Sequence, residues 1–143
     1  MPDTITLVGI HALDRIIIPS SFAAQIENRT SVGRAEDSEL ALFRVGKGGW
    51  IIQAKATIRT TDTEKIDVQL RLTATEGSAT VQDKALASAV NLGYATIVTV
   101  LGVHVSSSAQ IALKWSKQGL SHADLTDIVI TAIHQDNLTI GAM

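Results

Sequence analysis

Apolar and polar residues alternate with a period of two along most of this chain, and almost nowhere with the 3.6-residue spacing of a helix. The longest such signal lies at residues 94–116. YATIVTVLGVHV is apolar on both alternating faces, which predicts a central strand covered on both sides. Ser106, Ser107 and Ser108 break it as turn residues. QIALKW then places Ile111, Leu113 and Trp115 on one face and Gln110, Ala112, Lys114 and Ser116 on the other, as a half-buried strand does.

Upstream, ELALFRV reads as a strand and the glycine-rich residues 46–49 as a turn. Trp50, Ile52, Ala54, Ala56 and Ile58 then alternate against Ile51, Gln53, Lys55, Thr57 and Arg59, so the segment predicts a hairpin. IDVQLRLT sets Ile66, Val68, Leu70 and Leu72 against Asp67, Gln69, Arg71 and Thr73, and residues 75–78 read as a turn. Residues 81–90 fit a short helix or a loose strand, and strand or loop is the reading taken. SKQGLSHADLTD reads as a polar connection, followed by a last strand with Ile128, Ile130 and Ala132 opposite Val129, Thr131 and Ile133. At the N-terminus, Ile5, Leu7 and the isoleucines 16–18, stopped by Pro19, fit either edge strands or an arm lying on a neighbouring subunit. Residues 31–38 read as a loop.

Short strands separated by turn signals every ~8–12 residues, without helical crossovers, predict an all-β fold, an antiparallel sandwich, jelly roll or barrel. The 143 residues suit one domain. They divide into an N-terminal arm or edge strands at 1–38 and a main domain at 39–143.

Composition narrows the function classes. Aromatics are only 3% of residues, which weakens sugar-stacking and base-stacking readings. The net charge is −2 and no block of Lys or Arg is present, so nucleic acid is not an expected partner. There is no cysteine, hence no disulfide framework and no thiolate metal site. The first residues lack the pattern of a secretory signal, and no apolar run reaches the roughly 20 residues of a membrane-spanning helix, so no membrane insertion is expected. Two matches to the glycosylation pattern, at Asn28 and Asn137, read as coincidental in that setting.

Candidate chemistry is sparse. His122, Asp124 and Asp127 carry metal-ligating atoms, but no second cluster has ligand spacing, so a solvated loop is the reading and neither metal nor cofactor is expected. His104 and His134 fall within apolar strands, where a core or interface histidine bonded to a carbonyl is expected. Ser106–Ser108 lie in neither a nucleophile elbow nor a glycine oxyanion loop. Asp62, Glu64 and Glu76 sit in polar turns with nothing to separate their pKa values. The glycines at 46–49 lack the helix and hydroxyl of a phosphate loop.

The order of features from 41 to 138 resembles the jelly-roll domain of complement-component and tumour-necrosis-factor-like proteins. The matching pieces are GGWIIQAKATI, DVQLRLT, YATIVTVLGVHV, SSSAQIALKWSK and DLTDIVITAIHQ. The chain departs from that family in having Ser108-Ala109 where Gly-Asp is common, and in lacking most core and axial aromatics. The resemblance implies an antiparallel two-sheet jelly-roll sandwich of ten strands, assembled as a homotrimer and acting without catalysis. Such domains also occur on phage particles.

The expectation is therefore a non-enzymatic structural or interaction module, an accessory component of a virus or phage particle (head, tail or decoration) that contacts other particle proteins. It would be made in the cytoplasm and found in the virion; a cytoplasmic protein is the alternative location. The alternative function is a lectin-like module that recognises sugar or a cell-surface partner. Because residues 94–105 are apolar on both faces, Tyr94, Val98, Val100 and His104 are the expected interface residues, facing a symmetry axis or partner.

Overall fold

The computed structural model describes residues 5–8, 17–31, 35–60, 65–90, 93–118 and 122–135. Nine strands run through them: β1 (Ile5–Val8), β2 (Ile17–Ile18), β3 (Phe22–Ile26), β4 (Arg29–Ser31), β5 (Ala35–Arg59), β6 (Ile66–Glu76), β7 (Ala79–Ala89), β8 (Tyr94–Gln118) and β9 (Ala123–Gln135). Two of them, β5 and β8, are 25 residues long and pair antiparallel along their whole length.

Each long strand belongs to two sheets. The first half of β5 and the second half of β8 continue through β6 to β7, with β2 alongside β5. The second half of β5 and the first half of β8 continue instead through β9 to β3 and β1, with β4 also on β9. The ladder shifts register between Gly46/Ser108 and Gly48/Val105, and there both strands cross from one sheet to the other. The fold is a two-sheet jelly-roll sandwich, antiparallel except where β1 on β3 and β2 on β5 run parallel.

The core lies between the sheets, where the inward residues of each alternating strand meet. Ile66, Val68, Leu70 and Leu72 of β6 and Trp50 through Ile58 at alternate positions of β5 are buried, as their patterns predict, and of the two largely apolar faces of β9 it is Ile128, Ile130 and Ala132 that are buried. Trp115, 3% exposed, is core, and Phe22 of one sheet meets Phe43 of the other edge-to-face at 5.1 Å. Phe22, Ala24 and Ile26 of β3 fill the core as completely as the later strands do.

Five expectations are corrected. Residues 46–49 are not a hairpin turn: the halves of β5 do not pair with one another, and the glycines form a bend in one continuous strand. Ser106–Ser108 likewise bend β8 without ending it. Residues 94–105 are not a central strand: among the described residues they pair only with β5, and their outward side chains are exposed. The polar stretch SHADLTD is largely strand, with Ala123 and Leu125 buried. The loop expected at 31–38 also gives way to strand from Ala35, with Asp37 in a left-handed bulge at φ 41°. Except at 94–105, the pattern of glycines, serines or aspartates predicts a break where tertiary pairing uses these residues as bulges. The ambiguous segment at 81–90 is strand through Ala89. The polar turn expected around Asp62 and Glu64 lies outside the described residues.

Candidate functional site

The first half of β8 alternates cleanly. Ala95, Ile97, Thr99, Leu101, Val103 and Val105 turn inward, and Tyr94, Thr96, Val98, Val100, Gly102 and His104 turn out and are exposed. The four expected interface residues thus share one face of one edge strand. Tyr94 is 77% exposed, Val98 42% and Val100 47%.

Register extends this face across the sheet. Gly102, Ile51 and Ile133 form one cross-strand row; Val100, Gln53, Thr131 and Ala23 another; Val98, Lys55, Val129 and Gln25 a third; Tyr94, Arg59, Asp124 and Thr30 a fourth. Ile133 is 42% exposed and Ile51 half-buried. The sequence pattern had assigned both to outward sets without marking them as part of the face. Knowing that β9 and β8 flank β5 would have found them. Gln53 and Lys55 of β5 stand within the second and third rows, between the valines of β8 and Thr131 and Val129 of β9, and Arg59 stands in the fourth, so the apolar side chains lie mainly along β8 and in the first row, with cations on β5 towards one end.

Two side-chain locks hold this face at its bends. At the β5 bend, Trp50 Nε1 donates to the Gly46 carbonyl at 2.8 Å, and His134 Nε2 lies 3.0 Å from the Lys47 carbonyl. A carbonyl only accepts, so Nε2 carries the proton. The imidazole also packs on the Trp50 ring at 4.6 Å, and its backbone N–H donates to Ser21 Oγ. His134 is the carbonyl-bonded histidine that the sequence predicts; His104 is exposed on the outer face.

At the β8 bend, the bulged N–H groups of Ser106, Ser107 and Ser108 converge on the Glu76 carboxylate at 2.9, 2.8 and 3.0 Å. Three successive backbone donors around one anion form a nest. The Ser106 N–H, then that of Ser107, hold the Glu76 carboxyl below its ordinary range; desolvation opposes them, and the Ser108 N–H and Ser107 side chain add to them. The sequence predicts a polar turn for Glu76, which the structure puts at the end of β6. No local signal marks the role, because donor and acceptor are 30 residues apart.

At the open side of the sandwich, Asp83 of β7 turns inward and accepts from Thr99 Oγ1 at 2.5 Å and from the Val100 N–H at 3.1 Å. An inward carboxylate that occupies a backbone donor protects an edge from random pairing. His122 Nε2 and Thr30 Oγ1 both reach Asp124 Oδ1, at 3.0 and 2.8 Å, and Asp127 sits at a bulge with φ 50°. No group of three metal-ligating residues occurs among the described residues. On the outer face of the other sheet, Asp67, Gln69, Leu86, Ser88, Ser116 and Gln118 line a groove of about 520 Å3.

No family model matches the sequence, and no curated protein matches it. Solved structures match its fold. The globular domain of a zebrafish complement 1qA protein superposes with a TM-score of 0.59 at 11% identity, over 82% of this chain and 99% of that one. The Eiger TNF of S. frugiperda gives 0.54 at 7% identity, over 87% and 98%. The CBM22-1-GH10 modules of a Clostridium thermocellum endo-1,4-beta-D-xylanase, complexed with xylohexaose, give 0.51 at 15% identity, over 78% of this chain and 24% of that one. At such identities the likeness carries the fold alone, and that fold is the complement 1q and tumour-necrosis-factor type of jelly roll.

Proposed function

We propose that this protein is a non-enzymatic interaction module that assembles as a homotrimer through the outer face of the β3–β9–β5–β8 sheet. The observation that carries this reading is the exposed apolar row of Tyr94, Val98 and Val100, continued by Ile51 and Ile133. Soluble monomers avoid contiguous patches of this kind. Three strands about 4.8 Å apart and some eleven residues long, with the five residues of β3 beside them, offer on the order of 600 Å2, somewhat below the ~800 Å2 that each partner contributes to a standard interface.

Threefold closure suits the charges. In a threefold ring each contact is heterologous, so the face of one copy meets a different surface on the next. Lys55 and Arg59 then need not meet their own copies, as they would in a twofold dimer centred on this face. The likeness to complement 1q and tumour-necrosis-factor folds supports the same reading.

Within it, the finer proposal is an accessory component of a virus or phage particle, carried in the virion and held to other particle proteins. A small, cysteine-free jelly roll with an apolar assembly face suits a part fixed to a larger structure. Light scattering tests the assembly: a mass about three times the 15.2 kDa protomer is expected, and a stable monomer at micromolar concentration overturns it. Co-purification at fixed stoichiometry with a capsid or tail tests the particle role.

The alternative, a lectin-like module, has the xylohexaose-bound structural neighbour in its favour. Against stacking of neutral sugars stands the burial of Trp50, Trp115, Phe22 and Phe43, which leaves Tyr94 as the exposed ring.

A further inference from the structure

The outer face of the other sheet carries an arrangement that neither packing nor assembly through β8 explains. Lys84 of β7 is directly opposite Arg71 of β6, and Arg71 is directly opposite Lys114 of β8. All three lie on the outward side, because Leu70, Leu72, Leu113 and Trp115 on either side of them are buried. Three cations therefore stand in one row across three adjacent strands, about 5 Å apart. Like charges directly opposite one another destabilise a sheet, and a sequence that breaks such a local rule without compensation does so most often at a functional site.

Compensation is partial. Asp37, held at φ 41° by the bulge in β5, puts Oδ2 3.0 Å from Arg71 Nη2. Glu39 lies opposite Lys114 in the ladder. Among the described residues no ion pair reaches Lys84 or Lys114, and Arg71 Nε is buried without a partner.

The groove described above begins one row further along the same strands. Gln69 faces Leu86 and Ser116, and Asp67 faces Ser88 and Gln118. Its walls are amides, hydroxyls and one carboxylate, already oriented by the Ser88 hydroxyl at 2.5 Å and Lys65 at 3.6 Å, with Leu86, 75% exposed, at the rim. These groups exchange hydrogen bonds with hydroxyls and give no stacking platform for bases.

We infer that this surface binds an acidic oligosaccharide. Its carboxylate or sulfate groups would lie on the Lys84–Arg71–Lys114 row, and its hydroxyls in the groove lined by Gln69, Ser88, Ser116 and Gln118. Binding needs no exposed aromatic ring, and it relieves the repulsion within the row. The site lies on the opposite sheet from the proposed assembly face.

Calorimetric titration of the full chain tests it with three probes: a heparin-derived hexasaccharide (sulfate), oligogalacturonate (carboxylate) and neutral dextran. The expected result is binding of at least one acidic probe, weakened by salt, and none of dextran. The Lys84→Ala/Lys114→Ala variant should bind roughly tenfold more weakly per lysine removed, with its melting temperature kept or raised. Lys55→Ala/Arg59→Ala, on the other sheet, should bind as the wild type does. Failure of both acidic probes at millimolar concentration, or equal loss in both double variants, overturns the inference.

Discussion

Gly48 and His134 share one space. Gly48 has φ 130°, a conformation that L side chains rarely adopt, and a Cβ there would run into the imidazole Nε2 that bonds to the Lys47 carbonyl. The bend of β5, and with it the passage from one sheet to the other, rests on the absence of one methyl group. Gly48→Ala should cost about 1–3 kcal/mol in backbone strain alone. In Gly48→Ala/His134→Ala the steric part is removed, so the two losses should add to less than their sum in thermal or urea unfolding. Strict additivity would show that the contact is not shared.

Glu76 makes the β8 bend pH-dependent. Its carboxyl titrates lower in the folded chain than in the unfolded one, so the unfolded state binds the extra proton as the pH falls. The stabilisation is fully present above the ordinary glutamate range, and is lost as the pH drops through that range towards the folded value. Glu76→Gln should therefore melt below the wild type at pH 7, and the gap should narrow steadily from about pH 5 downward. A gap that is constant from pH 7 to pH 3 would show that the carboxylate charge does not hold the bend.

Trp115 is a core residue, 3% exposed, on the part of β8 that pairs with β5 on one side and β6 on the other. Trp115→Ala should cost about 3–5 kcal/mol and leave little soluble folded protein. A melting temperature within a few degrees of wild type would mean that neighbouring side chains collapse into the space.

Val98 and Val100 project from the edge strand beside Lys55 and Gln53. Changing both to Asp leaves the inward residues of β8 untouched. The expected outcome is a folded monomer by light scattering, with strand content kept by circular dichroism. A trimer of unchanged mass would move the assembly surface elsewhere.

His122 bonds to Asp124, which also accepts from the Thr30 hydroxyl, and no group of three metal-ligating residues occurs among the described residues. EDTA should leave the melting temperature unchanged. A drop of several degrees would require a native-state metal, since mass action stabilises only what the folded chain binds.

Where one face of a strand is apolar and the other polar, the sequence by itself determined which side chains face the core. Alternation is a property of the strand backbone, so Ile66, Val68, Leu70 and Leu72, or Ile111, Leu113 and Trp115, were assigned correctly without knowing their partners. It also marked Tyr94, Val98, Val100 and His104 as one face, for the same reason. Tertiary structure alone decided whether a glycine or serine run reverses the chain or bends it. Residues 46–49 and 106–108 have turn composition, but β5 and β8 pair with each other through both, and each bend is closed by a residue far away in sequence, His134 for one and Glu76 for the other. The row of Lys84, Arg71 and Lys114 was equally hidden. Each residue reads alone as a solvated charge, and only the register of β7 on β6 and β6 on β8 brings the three side by side.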